Sequence, residues 1–135
     1  MLTAAAATRL AGALITPIGL AHFAMPTLGY RAADLAAIPA AQRAHFVDLG
    51  TYAIGSFLLA FAALAFVAAR EITAPMARAF VAIMALVWAG RFALELVFPT
   101  RLGLFILDAP SPVLASFIAL IAGLFALAAL RLARD

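Results

Sequence analysis

The chain has 135 residues, of which 68% are hydrophobic and 11% charged, and its mean hydropathy is +1.17. Soluble domains carry about 45–50% apolar and about 25% charged residues, so the composition excludes an ordinary soluble fold and predicts a protein dissolved in lipid. The formal charge of +3 and the absence of cysteine exclude two further classes: the nine basic residues, all arginine, form no cluster that would bind nucleic acid, and disulfide scaffolds and thiolate metal sites are impossible.

Four stretches are long and apolar enough to cross a bilayer core about 30 Å thick, which needs about 20 residues of helix. They cover residues 10–30, 45–69, 77–98 and 112–130. The first is interpreted as a retained helix rather than a signal peptide, because it contains His22 and two prolines and has no clear small-residue cleavage site. The sequence therefore predicts one all-α integral membrane domain over residues 1–135, folded as a four-helix transmembrane bundle.

The connections between these spans differ in kind. Residues 31–44 predict a short interfacial helix broken at Pro39. Residues 70–76 form a tight polar turn, with Pro75 suited to the first turn of the third helix. Residues 99–111 are too apolar for a free loop and are expected to lie on the membrane surface, ending in a Ser-Pro pair that starts the fourth helix.

Arginine placement predicts the orientation. Five arginines lie near one side of the predicted bundle, namely Arg9, Arg70, Arg78, Arg131 and Arg134. Three lie near the other side, namely Arg31, Arg43 and Arg101. Because cytoplasmic loops carry the excess of positive charge, we expect both termini in the cytoplasm and the interfacial segments on the non-cytoplasmic side. Alanine and arginine usage is compatible with a GC-rich bacterial genome, and the expected location is a bacterial inner membrane.

Small residues at spacing four predict where helices approach closely. They occur in the third helix at residues 85, 89 and 93, in the fourth at residues 115, 119 and 123, and in the second at Ser56 and Ala60. The alternative is that alanine is simply abundant in this chain.

Titratable side chains concentrate in the predicted outer half of the bundle. Counting 1.5 Å per residue from the span ends places His22, Asp48 and Arg91 about 9–12 Å below the outer boundary. His45 and Glu95 lie nearer the surface by the same count. Three different helices thus bring ionisable groups to nearly one level, while the cytoplasmic half has none inside it.

Spacing also predicts which side chains share a helix face. His45, Asp48 and Tyr52 follow one face of the second helix, and Trp88, Arg91 and Glu95 follow one face of the third.

This layer has a structural interpretation, because an ionisable group at membrane depth costs at least about 2.5–3.5 kcal/mol and must find a partner. Arg91 would pair with Glu95 one turn away or with Asp48 across the helix interface. His22 would donate to a carbonyl that Pro17 or Pro26 frees.

The functional interpretation is a pocket for the polar head of a lipophilic molecule such as a lipid, a quinone or an isoprenoid. Arg91 would hold an anionic or carbonyl oxygen, and Trp88 and Tyr52 would flank a ring or chain, with His45 and Glu95 completing the ligand-binding layer. His22 and Asp48 would form a proton-transfer pair if the protein were an enzyme.

Haem and metal sites are weaker hypotheses. His22 and His45 differ by about 7 Å in depth, a mismatch for two axial haem ligands. His22, His45, Asp48 and Glu95 offer metal-ligating atoms but no tight ligand motif. We therefore expect no metal site, and the sequence identifies no cofactor.

Two phrases carry a resemblance to known proteins. The first is Arg43-Ala-His-Phe with Gly50 and Gly55 after it, and the second is Trp88-Ala-Gly-Arg followed by Asp108-Ala-Pro-Ser. They resemble small bacterial four-helix membrane proteins of DoxX-like type. The resemblance implies the four-helix architecture and carries no activity.

Together these features predict a small membrane-embedded binding or assembly component, acting within a larger membrane complex or as a homo-oligomer and holding a lipophilic molecule. The alternative is a small membrane enzyme, of isomerase, cyclase or hydrolase type, that acts on a lipophilic substrate through His22 and Asp48. A small transporter stands third, since no ionisable relay crosses the predicted bundle.

Overall fold

The computed structural model describes residues 2–30, 32–99 and 112–134, and all regular structure in these ranges is helical. The helices in chain order are α1 (Ala4–Leu28), α2 (Ala32–Ala36), α3 (Ala40–Gln42), a π-helical segment (Arg43–Leu49), α4 (Gly50–Ala68), α5 (Pro75–Val97) and α6 (Pro112–Leu132). The predicted all-α four-helix class is confirmed.

Four stretches of helix are long and apolar enough to cross a membrane: Ala4–Thr27, Ala40–Ala68, Pro75–Val97 and Pro112–Leu132. α1 begins six residues before the predicted span because Thr3 caps it, with Thr3 Oγ1 accepting the Ala6 N–H at 3.2 Å. The second stretch also begins early, since α3, the π-helical segment and α4 run on without a break.

Prolines set several of the boundaries between helices. α2 ends at Ala36, and Pro39 precedes the first residue of α3, so the short helix predicted in this connection is present and is interrupted where expected. Pro75 occupies the first turn of α5, where its missing N–H costs no hydrogen bond. The apolar connection predicted at residues 99–111, and its capping serine, lie outside the described residues apart from Pro99.

The long helices pack in an order that places α1 centrally. α1 lies along both α4 and α6, α5 packs along α6, and α4 contacts α5 to a smaller extent. The half of the bundle near the termini is a closed core in which Phe80 meets Phe125 edge to face, with ring centroids 6.3 Å apart. Its fully buried side chains include Ala7, Ala11, Ile15, Val81, Met84, Ile121 and Phe125.

α1 and α4 approach each other closely at their glycines. A Cβ added to Gly12 would lie 3.0 Å from Ala65 Cβ, and one added to Gly55 would lie 3.0 Å from the Gly19 carbonyl oxygen. The close packing predicted for the third and fourth helices was wrong at several positions, because residues 89, 93 and 123 are exposed. A Cβ added to Gly123 would meet nothing within 4 Å.

Candidate functional site

A cavity of about 650 Å³ lies among all four long helices. Its wall comes from the last turns of α1, the first turns of α4, the later part of α5 and the start of α6. It therefore occupies the half of the bundle opposite the termini, where the sequence predicts the outer side. The closed core fills the other half.

The wall is almost entirely apolar. Of the described residues that line it, only His22, Trp88 and Arg91 carry a polar nitrogen or oxygen in the side chain. His22 and Arg91 each lie six residues before the last residue of their helix, so both are about 9 Å from those ends at 1.5 Å per residue. The common level of His22 and Arg91 stays a prediction, because it rests on this same residue count.

His22 is tied to its own helix. Its Nδ1 lies 2.7 Å from the Ile18 carbonyl oxygen, so Nδ1–H donates to that carbonyl. The predicted acceptor was wrong, because Pro17 frees the carbonyl of Ala13 and Pro26 frees that of His22 itself. His22 instead donates to the Ile18 carbonyl one turn earlier on α1. This hydrogen bond holds the imidazole ring against its own helix.

Arg91 forms an ion pair with Glu95, with Nη2 and Oε2 2.6 Å apart. The Glu95 side chain is 2% exposed, whereas that of Arg91 is 38% exposed and forms part of the cavity wall. The pairing predicted one turn apart is confirmed. A charge-assisted hydrogen bond of this kind lowers the cost of placing a guanidinium among apolar helices.

Trp88 lies one turn before Arg91 on the same face of α5. It is 5% exposed, lines the cavity, and has no hydrogen-bond partner for Nε1 among the described residues. It is also the single tryptophan of the chain. The fluorescence of Trp88 can therefore be used to detect a molecule that binds in the cavity.

The layer predicted on the second helix does not reach the cavity. His45, Asp48 and Tyr52 are all exposed and do not line the wall. Tyr52 meets Phe23 edge to face on the outside of the bundle, with ring centroids 5.6 Å apart. The structure therefore does not bring Asp48 to His22, and His45 does not face His22 as a second axial haem ligand would.

The reason is the rotation of this helix about its axis. Val47, Thr51 and Gly55 are buried, and at Gly55 α1 lies so close that an added Cβ would be 3.0 Å from the Gly19 carbonyl oxygen. The opposite face, with Asp48 and Tyr52, is then turned outward. The helix is apolar almost all the way round, so the sequence pattern does not distinguish the two faces.

The sequence analysis did not identify the apolar residues that form most of the cavity wall. α6 contributes Val113, Leu114 and Phe117, and α4 contributes Leu58 and Phe61. No signal separates them from lipid-facing residues in so apolar a chain. Among the described residues, no group of three or more His, Asp or Glu side chains is placed to hold a metal ion.

No protein-family model, curated protein or solved structure matches this chain. The DoxX-like resemblance stays a prediction. What the chain does is inferred below from the cavity and its wall.

Proposed function

We propose that this chain is a membrane-embedded binding component that holds one lipophilic molecule in the cavity among its four helices. The observation that supports this most is the combination of size and lining. A cavity of about 650 Å³ lies within the range of about 300–1,000 Å³ that is common for small-molecule sites. Such sites are mostly apolar with a few placed polar groups, which is the composition of this wall.

The wall also offers a path from the bilayer. Ile54 on α4 and Val87 on α5 both line the cavity, and each is 50% exposed. Among the described residues, α4 and α5 contact each other less extensively than the other adjacent pairs of long helices, which favours entry between them. A ligand dissolved in lipid would enter there sideways, without crossing water.

The arginine distribution supports an orientation with both termini cytoplasmic, which would place the cavity in the outer half of the bundle. A stored or presented lipid suits an assembly component of a larger membrane complex or a homo-oligomer.

The enzyme alternative has less support, because its acid–base pair requires Asp48 near His22 and Asp48 lies outside the cavity wall. Transport stays a prediction that no specific observation favours.

Filling the cavity tests the proposal. Ala24 lines the wall on α1, and Ala24→Phe places a ring in the space that a ligand would occupy. Ala13→Phe is the matched control, since Ala13 is exposed on the same helix and does not line the cavity. The measurement is the molar ratio of bound lipophilic molecule to protein, by native mass spectrometry after purification in mild detergent.

We expect wild type and Ala13→Phe to retain a defined molecule at about one per chain, and Ala24→Phe to retain at least about tenfold less, a loss of about 1.4 kcal/mol of binding free energy. Size-exclusion profiles check that all three proteins remain folded. Equal retention by Ala24→Phe, or the absence of a defined molecule from wild type, would contradict the proposal.

A further inference from the structure

We infer that the end of the bundle near the termini binds the phosphate group of an anionic membrane phospholipid. The site is an arginine patch around the end of α4, the start of α5 and the end of α6, which consists of Arg70, Arg78, Arg131 and Arg134. The cavity occupies the other half of the bundle, so this inference does not rest on the proposed function.

The charge at this end of the bundle is unbalanced. The patch and Arg9 supply five guanidinium groups, whereas Glu71 is the one carboxylate at this end among the described residues, which do not include Asp135. The ion pair that joins described residues lies in the other half, between Arg91 and Glu95. The patch therefore carries an excess of positive charge, and such an excess attracts an anion.

Arg131 is the residue of the patch that most needs an anion. It is partly buried in the last turn of α6, and its Nε is enclosed by protein without a hydrogen-bond partner among the described residues. Burying part of a charged group is costly unless the group is paired and hydrogen-bonded. A phosphate would neutralise the charge and accept hydrogen bonds from guanidinium N–H groups, which pair well with phosphate oxygens.

Arg78 brings a second guanidinium to the same end of α6. Its Nη1 donates to the carbonyl oxygen of Leu132, 2.9 Å away, and Leu132 follows Arg131 in the chain. A carbonyl accepts a hydrogen bond but has no net charge, so this contact leaves the charge of Arg78 unmatched. The same contact holds the side chain in place across α5 and α6, which reduces the entropy that binding an anion would cost.

The depth of the patch suits a lipid head group. α6 has 21 residues and is about 32 Å long at 1.5 Å per residue, close to the hydrocarbon thickness of about 30 Å. Arg131 is the residue before the last in α6, and Arg78 is the fourth residue of α5. Both therefore lie where the phosphate groups of a bilayer begin, and long arginine side chains can reach that level. The bilayer itself would supply the anion.

Two phospholipids with the same acyl chains test this inference. Dioleoylphosphatidylglycerol has a net negative charge, whereas the positive choline of dioleoylphosphatidylcholine cancels the phosphate charge. Each lipid is titrated into the purified full chain in an uncharged detergent, and native mass spectrometry gives the apparent Kd for the first bound lipid. Size-exclusion profiles check that each variant remains folded.

We expect wild type to bind the anionic lipid at least about tenfold more tightly than the neutral one, and Arg131→Gln to reduce this preference about fivefold, since each arginine near a membrane surface adds to the attraction. Arg134→Gln removes a charge beyond the end of α6, where the fold depends on it least, and should reduce the preference at least about twofold. Arg43→Gln is the matched control: Arg43 is exposed at the opposite end of the bundle, and the preference should persist.

Four outcomes would overturn the inference. The first is equal binding of the two lipids by wild type, and the second is a preference that Arg131→Gln and Arg134→Gln both leave unchanged. The third is an equal loss in Arg43→Gln, which would mean that net charge alone decides. The fourth is displacement of the anionic lipid by inorganic phosphate but not by sodium chloride at equal ionic strength, which would assign the patch to a free anion.

The cavity variant separates this inference from the proposed function. Ala24→Phe fills the cavity in the other half of the bundle, so the preference for the anionic lipid should persist in it. Loss of the preference in Ala24→Phe would assign it to the cavity and overturn the arginine patch as its source. Retention of a lipophilic molecule in the cavity is measured independently of these titrations.

Discussion

At the scale of single residues, the pair of Arg91 and Glu95 makes a charged site compatible with an apolar bundle. Glu95 is enclosed by protein, while Arg91 is bonded to it and also reaches the cavity. Breaking such a pair by removing one partner is costly, because the other charge stays in a poor solvent. The pair therefore fixes the position of the donor groups that a ligand would meet.

Glu95→Gln should destabilise the protein by about 1–3 kcal/mol, between the values for exposed and fully buried pairs, because Arg91 is partly exposed. Glu71→Gln makes the same chemical change at an exposed turn position and should alter stability by less than about 0.5 kcal/mol. Thermal unfolding in detergent, followed by circular dichroism, measures both. Equal unfolding temperatures for the two variants would mean that the pair does not stabilise the fold.

The sequence predicts this pair because a spacing of four residues on a helix places two side chains together whatever the helix packs against. Residue count from the helix ends also predicts that His22 lies near the level of Arg91. It does not predict which way Asp48 points. That depends on the rotation of a helix that is apolar on nearly every face, and rotation is decided by packing against α1.

At the scale of elements, the contact between α1 and α4 decides that rotation. Ala62 and Ala65 of α4 lie against Gly12 of α1, so the two backbones approach closely along one line. Lipid offers no hydrophobic drive for helix association, and close contact between small residues supplies dispersion energy instead. The side of α4 that bears these residues must face α1.

Gly12→Ala tests this interface. The added Cβ would lie 3.0 Å from Ala65 Cβ and 3.1 Å from the Ala62 carbonyl oxygen, so α4 must shift. Overpacking costs about 1–3 kcal/mol, which offsets or exceeds the helix propensity gained, and we expect a lower unfolding temperature.

Gly123→Ala is the matched control, since its added Cβ meets nothing within 4 Å. It should gain up to about 1 kcal/mol of helix propensity and unfold at the same or a higher temperature. A Gly12→Ala protein at least as stable as Gly123→Ala would show that the α1–α4 contact is looser than the structure indicates.

The sequence shows where small residues recur at a spacing that permits close helix packing. It does not show which of these helices actually pack closely through them. Gly123 belongs to a regular small-residue series on α6 and is exposed. The glycines of α1 are separated by seven residues, at Gly12 and Gly19, and are the ones in contact. In a chain so rich in alanine, spacing alone does not separate a packed face from a lipid-facing one.

At the scale of the whole molecule, the two halves of the bundle differ in a way that suits a binding protein. The half near the termini is closed by interlocking side chains, and the other half contains the cavity. Fold class and the number of spans follow from hydropathy alone, because only helices of this length satisfy their backbone hydrogen bonds in lipid. The cavity does not follow from it, since a void depends on how four surfaces fit together.

The orientation of the molecule can be tested with cysteines, because the native chain has none to interfere. Ala37 and Thr73 are both exposed, and the helical stretch Ala40–Ala68 lies between them, so they occupy opposite ends of the bundle. The arginine excess lies at the end that holds Thr73. Ala37→Cys should react with a membrane-impermeant maleimide in right-side-out vesicles, and Thr73→Cys should react only in inverted vesicles. Denatured samples of each variant control for intrinsic thiol reactivity.

The reversed labelling pattern would place the cavity in the cytoplasmic half, where a ligand would come from the inner leaflet. Reaction of both cysteines in intact right-side-out vesicles would mean that the stretch between them does not span the membrane.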